Sequence, residues 1–138
     1  MFCSDSRILI VDDMATMRRL TVYQLGILGY RNVAQAADGQ QALDIILKGI
    51  NEDNPVGLVI SDWNMPLMSG IELLEIVRKS RNTADLPFML VTAEDERTQV
   101  VRALKNRVND YLIKPIDKNV LEQKLHFLEK QTKSLKAV

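Results

Sequence analysis

Short apolar runs and abrupt polar stops alternate along this chain. Arg7-Ile8-Leu9-Ile10-Val11 is continuous rather than alternating, the pattern of a strand covered on both faces. It stops at Asp12-Asp13. Met14 to Leu28 then reads as a helix with a stripe at Met17, Leu20, Leu25 and Leu28, ended by Gly29. Val33 to Ala36 predicts a second strand, Asp38-Gly39 a turn, and Gln40 to Lys48 a second helix, followed by a polar loop over Gly49 to Pro55. Gly57 to Ser61 predicts a third strand that runs into Asp62. Ser69 suits the N-cap of a helix that continues from Gly70 through Lys79. Phe88 to Val91 predicts a fourth strand ending in Thr92, with a helix over Asp95 to Lys105. Asp110 to Ile113 predicts a fifth strand ending at Lys114-Pro115, and a last helix starts near Asp117 and enters a basic tail.

Five buried-type strands alternating with five helices predict an α/β fold, a doubly wound parallel sheet. A length of 138 residues, 46% hydrophobic and 26% charged, suits one domain over 1–138 with a core of its own. Lys plus Arg and Asp plus Glu are equal at 18 each, so no net field points to nucleic acid or a membrane. The distribution is uneven: residues 1–94 hold 8 basic and 12 acidic side chains, residues 95–138 hold 10 and 6. An anionic site in the first part and an acidic partner for the second would fit this split, as would ordinary solvated helix faces. The single cysteine, Cys3, excludes an internal disulfide. No apolar stretch reaches membrane-span length and no signal-peptide pattern opens the chain, so a cytoplasmic protein is expected.

In an open parallel sheet, ligands bind beyond the carboxyl ends of the strands, where strand order reverses. Asp12, Asp13, Asp62, Thr92 and Lys114 all stand at such ends. Singly, each has a plain explanation: Asp13 could cap a helix, Thr92 could close a strand, and Lys114 could be a surface lysine. Together they are harder to dismiss, because three neighbouring carboxylates must protonate or find a cation. Oxygen ligands without His or Cys select a hard divalent ion such as Mg²⁺ or Mn²⁺. A carboxylate also serves as nucleophile toward a phosphoryl group, a transfer that depends mainly on neutralising charge. Asp62 is the candidate acceptor, with Asp12 and Asp13 toward the metal, Lys114 supplying positive charge and the Thr92 hydroxyl a donor.

Four blocks carry a family resemblance: Val11-Asp12-Asp13, Asp62-Trp63-Asn64-Met65-Pro66-Leu67-Met68-Ser69-Gly70, Val91-Thr92-Ala93-Glu94 and Tyr111-Leu112-Ile113-Lys114-Pro115. In this order, each at a strand end, they resemble the motifs of response-regulator receiver domains, closest to the single-domain chemotaxis regulators. The resemblance covers about residues 6–130. It implies a flavodoxin-like strand order 2-1-3-4-5, an order for which the chemotaxis regulator is itself a standard example. It implies phosphorylation of Asp62 by a histidine kinase, with Asp12, Asp13, Asp62 and the Asn64 carbonyl around Mg²⁺. Thr92 and Tyr111 are implied as a switch pair, and Asn64 and Glu94 as positions that tune dephosphorylation. The implied partners are the kinase, a phosphatase, and a downstream target such as the flagellar motor switch, engaged through residues about 95–130 of a monomer. A phosphorelay intermediate or phosphate sink would use the same chemistry.

Enzymes on similar sheets fit less well. A haloacid-dehalogenase-type phosphatase needs Asp-x-Asp after its first strand, a nucleotide hydrolase needs a phosphate-binding loop ending Gly-Lys-Ser/Thr, and neither occurs. A flavodoxin needs a hydroxyl-rich loop where this chain has Asp13-Met14-Ala15. Three departures from the family stand out. Asn106-Arg107-Val108 replaces the usual Ala-Gly-Ala, so Arg107 is expected to strain or reshape that corner. The loop over Gly49 to Pro55 looks longer than usual, and Lys130, Lys133 and Lys136 extend past the usual end.

Overall fold

In the computed structural model, residues 2–93 and 97–136 are described. Five strands, β1 (Arg7–Val11), β2 (Val33–Ala36), β3 (Val56–Asp62), β4 (Phe88–Thr92) and β5 (Asp110–Ile113), form one parallel sheet. They alternate with α1 (Ala15–Ile27), α2 (Gly39–Asn51), α3 (Gly70–Lys79), α4 (Arg97–Lys105) and α5 (Lys118–Lys136). The order is β2-β1-β3-β4-β5, so the sheet reverses direction of growth between β1 and β3. This is the doubly wound, flavodoxin-like arrangement expected from the sequence.

Strand alternation divides the core in two. Leu9, Val11, Val59, Phe88 and Leu90 face one side and pack with Ala42, Ile46, Ile71, Leu74, Val77 and Ala103. Ile8, Ile10, Leu58, Ile60, Met89, Val91 and Leu112 face the other and pack with Leu25, Leu121, Leu125 and Leu128. Burial on both faces explains why the strands read as unbroken apolar runs.

Two local expectations change. Leu20 is not on the inner face of α1 but 43% exposed; Thr21 and Leu25 are buried instead. The Thr21 hydroxyl donates to the Met17 carbonyl at 3.0 Å, which lets a polar residue occupy the inner face. The segment Gly49 to Asn51 is the last turn of α2 rather than loop. Gly49 permits this, because Asn54 folds back to donate its N–H to the Gly49 carbonyl at 2.7 Å, leaving no room for a Cβ. The expected helix start at Asp95 lies outside the described residues. Ser69 does cap α3, accepting from the Glu72 N–H at 3.1 Å, and Asp117 accepts from Asn119 and Val120 at the start of α5.

The corner at Arg107 keeps its usual shape at a cost. Arg107 has φ 58°, and its N–H and that of Val108 return to the Leu104 and Ala103 carbonyls at 3.0 and 3.1 Å. Gly29 ends α1 in the same way, with φ 96°, its N–H donating to the Gly26 carbonyl and the Tyr30 N–H to the Leu25 carbonyl. Both are Schellman closures, but the left-handed position strains an arginine as it does not strain glycine.

Candidate functional site

The reversal of strand order places the end of β1 beside the end of β3, with Val11 in register with Ser61. Asp12, Asp13 and Asp62 therefore meet: one carboxylate oxygen from each lies within 4.8 Å of the others. Asp12 and Asp62 are buried and Asp13 is exposed, giving the cluster an inner wall and an open side. Lys114, just beyond β5, reaches in, its Nζ 3.1 Å from Asp62 Oδ2 and 3.8 Å from Asp12 Oδ2. The Lys114–Pro115 peptide bond is cis, and the Lys114 N–H donates to the Thr92 carbonyl at 2.8 Å. Thr92 is itself buried at the end of β4.

Asp13 does not cap α1. Met14 stands at the N-cap, without a side-chain cap bond, and the Met14 N–H instead donates to Asp12 Oδ1 at 2.9 Å. Burial, more than any single charge, raises the Asp12 pKa above its ordinary value; the Asp62 and Asp13 charges push the same way, against the Met14 bond and Lys114. A carboxylate so placed gains from a cation at the open side of the cluster. The all-oxygen donor set fits a hard divalent ion, with Asp12, Asp13 and Asp62 as the side chains able to hold it.

The loop after Asp62 is tightly built. The Gly70 N–H donates to the Trp63 carbonyl at 2.9 Å, and a Cβ at Gly70 would collide with the Asp62 carbonyl oxygen. Met68 donates to the Pro66 carbonyl across Leu67, a γ-turn with φ 71° at a leucine that is 99% exposed. Asn64 is exposed in this loop, while Trp63 turns into the core. Tyr111 is not part of the acidic cluster; it sits on edge strand β5 with 44% of its surface exposed. Glu94 lies outside the described residues.

Two arginines that the sequence reading missed brace the fold, Arg18 beside the cluster and Arg78 at the opposite end of the sheet. Arg18 donates to the Asp12 carbonyl at 2.6 Å and to Gln35 at 3.3 Å, fixing the backbone of a cluster residue. Arg78 donates to the carbonyls of Leu86, Asn106 and Arg107 and to Asn109 Oδ1, tying α3 to the far end of α4. Its spacing on α3 gives no sign of this, since the acceptors are backbone atoms distant in sequence.

Comparison with known proteins agrees with this geometry. The family described as Response regulator receiver domain matches residues 8–126. A "Chemotaxis protein CheY homolog" of Campylobacter jejuni is 43% identical over 119 residues, 86% of this chain and 88% of its own length. The "Chemotaxis protein CheY" of Pseudomonas aeruginosa is 44% identical over 119 residues, 86% of this chain and 92% of its own length. Among solved structures, a CheY-like response regulator receiver domain protein from Methanospirillum hungatei superposes with a TM-score of 0.79 at 30% identity, covering 94% of this chain and 98% of the other. The chain belongs to the response regulator receiver domain family, whose members are signalling proteins rather than classical enzymes.

Proposed function

We propose that this chain is a chemotaxis-type response regulator that accepts a phosphoryl group on Asp62 and passes the signal on by a change of surface shape. The observation that carries the reading is the convergence of three carboxylates and the Lys114 ammonium at the sheet's reversal point. The Asp62 carboxylate oxygen attacks the phosphorus of the donor, a phosphohistidine of a kinase or a small acyl phosphate, and the donor's leaving group departs. Lys114, already 3.1 Å from Asp62, moves with the charge from carboxylate to phosphoryl oxygen. Thr92 offers its hydroxyl to the same group. A bound Mg²⁺ or Mn²⁺, held by Asp12, Asp13, Asp62 and the Asn64 carbonyl, supplies the remaining neutralising charge. Asn64 and Glu94 tune loss of the group to water.

The signal leaves through α4, β5 and α5. Tyr111, Ile113, Val101, Leu104 and Val120 are exposed apolar residues on these elements, and a groove of about 420 Å³ runs between β5 and α5. A basic balance over residues 95–138 suits an acidic partner such as a motor switch protein. A charge-assisted bond from Thr92 to the phosphoryl group is worth about 1.5–3 kcal/mol, enough to shift a two-state surface by about one to two powers of ten if formed in one state only. Amide hydrogen exchange with and without Mg²⁺ and beryllofluoride, a mimic of the phosphoryl group, tests the whole route. Protection should change around Asp12, Asp62 and Thr92 and also along α4, β5 and the first half of α5. Changes confined to the loops around Asp62 would refute the output route and favour a relay or sink.

A further inference from the structure

We propose that Lys124 is a positioning residue that latches the Tyr111 ring outside the edge of the sheet. Its functional consequence rests on the phospho-acceptor reading above; the contact itself does not. Leu112 packs toward α5 with Leu121 and Leu125, so strand alternation puts Tyr111 on the opposite face, beside its register partner Leu90. Lys124 reaches from α5 to the edge of the sheet at β5. Its Nζ lies 4.9 Å from the ring centroid of Tyr111 and 2.6 Å from Asp110 Oδ1. The same Asp110 oxygen accepts the Tyr111 N–H at 2.9 Å. One carboxylate oxygen thus fixes both the backbone of Tyr111 and the ammonium that covers its ring.

A lysine alone would leave such a position often, because its stem is long and flexible. The Asp110 pair removes that freedom, and both charged side chains are about three-quarters shielded, at 24% and 26% exposure. A shielded cation over a ring face attracts it more than a fully solvated one. If the Tyr111 ring turns inward, the ammonium cannot follow, since Asp110 holds it at the sheet edge. The inward turn therefore has to break the cation–π contact. Lys124 sets the resting balance of the ring, and through linkage it sets the affinity of whatever state favours the inward position.

Proteins carrying ring-labelled tyrosine test this by NMR, comparing wild type with Lys124→Met, Lys124→Arg and Asp110→Asn. Lys124→Met keeps the apolar stem but should shift the Tyr111 ring signals and raise the inward population at least roughly two- to fivefold, the factor that even an exposed cation–π contact commands. Lys124→Arg should stay close to wild type, because a guanidinium also stacks on the ring and pairs with Asp110. Asp110→Asn should fall between. Beryllofluoride affinity, measured with Mg²⁺, should tighten by the same factor in Lys124→Met but not when Tyr111→Ala is also present. Tyr111 ring signals identical in Lys124→Met and wild type would overturn the latch, as would an unchanged beryllofluoride affinity. Failure of the wild type to bind beryllofluoride would instead sink the phospho-acceptor reading, leaving the ring signals to judge the latch.

Discussion

Leu67 and Arg107 hold backbone angles that glycine or asparagine adopts more easily, with φ of 71° and 58°. Leu67 is almost fully exposed, so its side chain returns little for that strain. Leu67→Asn should therefore stabilise the fold by about 1 kcal/mol, raising Tm by roughly 3–5 °C in a thermal melt. Arg107→Gly should gain less, because its guanidinium contacts the Ala84 carbonyl and Asp85. The strain at Arg107 was legible in the sequence from the missing glycine, whereas that at Leu67 was not, because no residue type marks it. Asp12 shows a different conflict. Its pKa is raised above 3.8 by burial first, so protonation favours the folded state. That contribution is fully present below the unfolded carboxylate range and is lost as pH rises through the folded value. At neutral pH without a divalent ion, Asp12 works against the fold. Asp12→Asn should raise the metal-free Tm at pH 7 and flatten the gain in stability that comes on acidification toward the ordinary carboxylate range. Equal pH profiles for the two proteins would contradict this.

Helix ends decide how the elements are held, and here the sequence was only partly readable. The caps at Ser69 and Asp117 and the stop at Gly29 follow from local chemistry and were legible. The bracing of α4 was not, because it depends on atoms far apart in the chain. Glu75 pairs with Arg102 and accepts from Asn106 at 3.3 Å, while Arg78 spans the closing carbonyls of α4 and the entries to β4 and β5. Burial first, then the nearby Arg107 charge, lowers the Arg78 pKa to about 10, leaving it a cation at neutral pH. Together these contacts fasten the end of α4 remote from Thr92. Arg78→Met should leave several part-buried acceptors without their donor and cost about 2–4 kcal/mol in urea unfolding. Arg78→Lys should recover little of it, since one ammonium cannot serve acceptors spread over three segments.

At the scale of the whole molecule, the sheet order turns residues scattered from position 12 to position 114 into one site. The apolar runs and the acids that end them were enough to place Asp12, Asp13, Asp62 and Lys114 together before any coordinates. The outward, lysine-covered ring of Tyr111 was not foreseeable, because it depends on how α5 passes the sheet edge. Among the described residues no helix is long and apolar enough to cross a membrane. The proposed role of this site is to take a phosphoryl group on Asp62. Intact-mass analysis after incubation with acetyl phosphate, with Mg²⁺ or with EDTA, tests it most directly. A single phosphoryl group should be added that requires the divalent ion, is removed by hydroxylamine, and is absent in Asp62→Asn. An equal label in Asp62→Asn, or a label indifferent to EDTA, would contradict it.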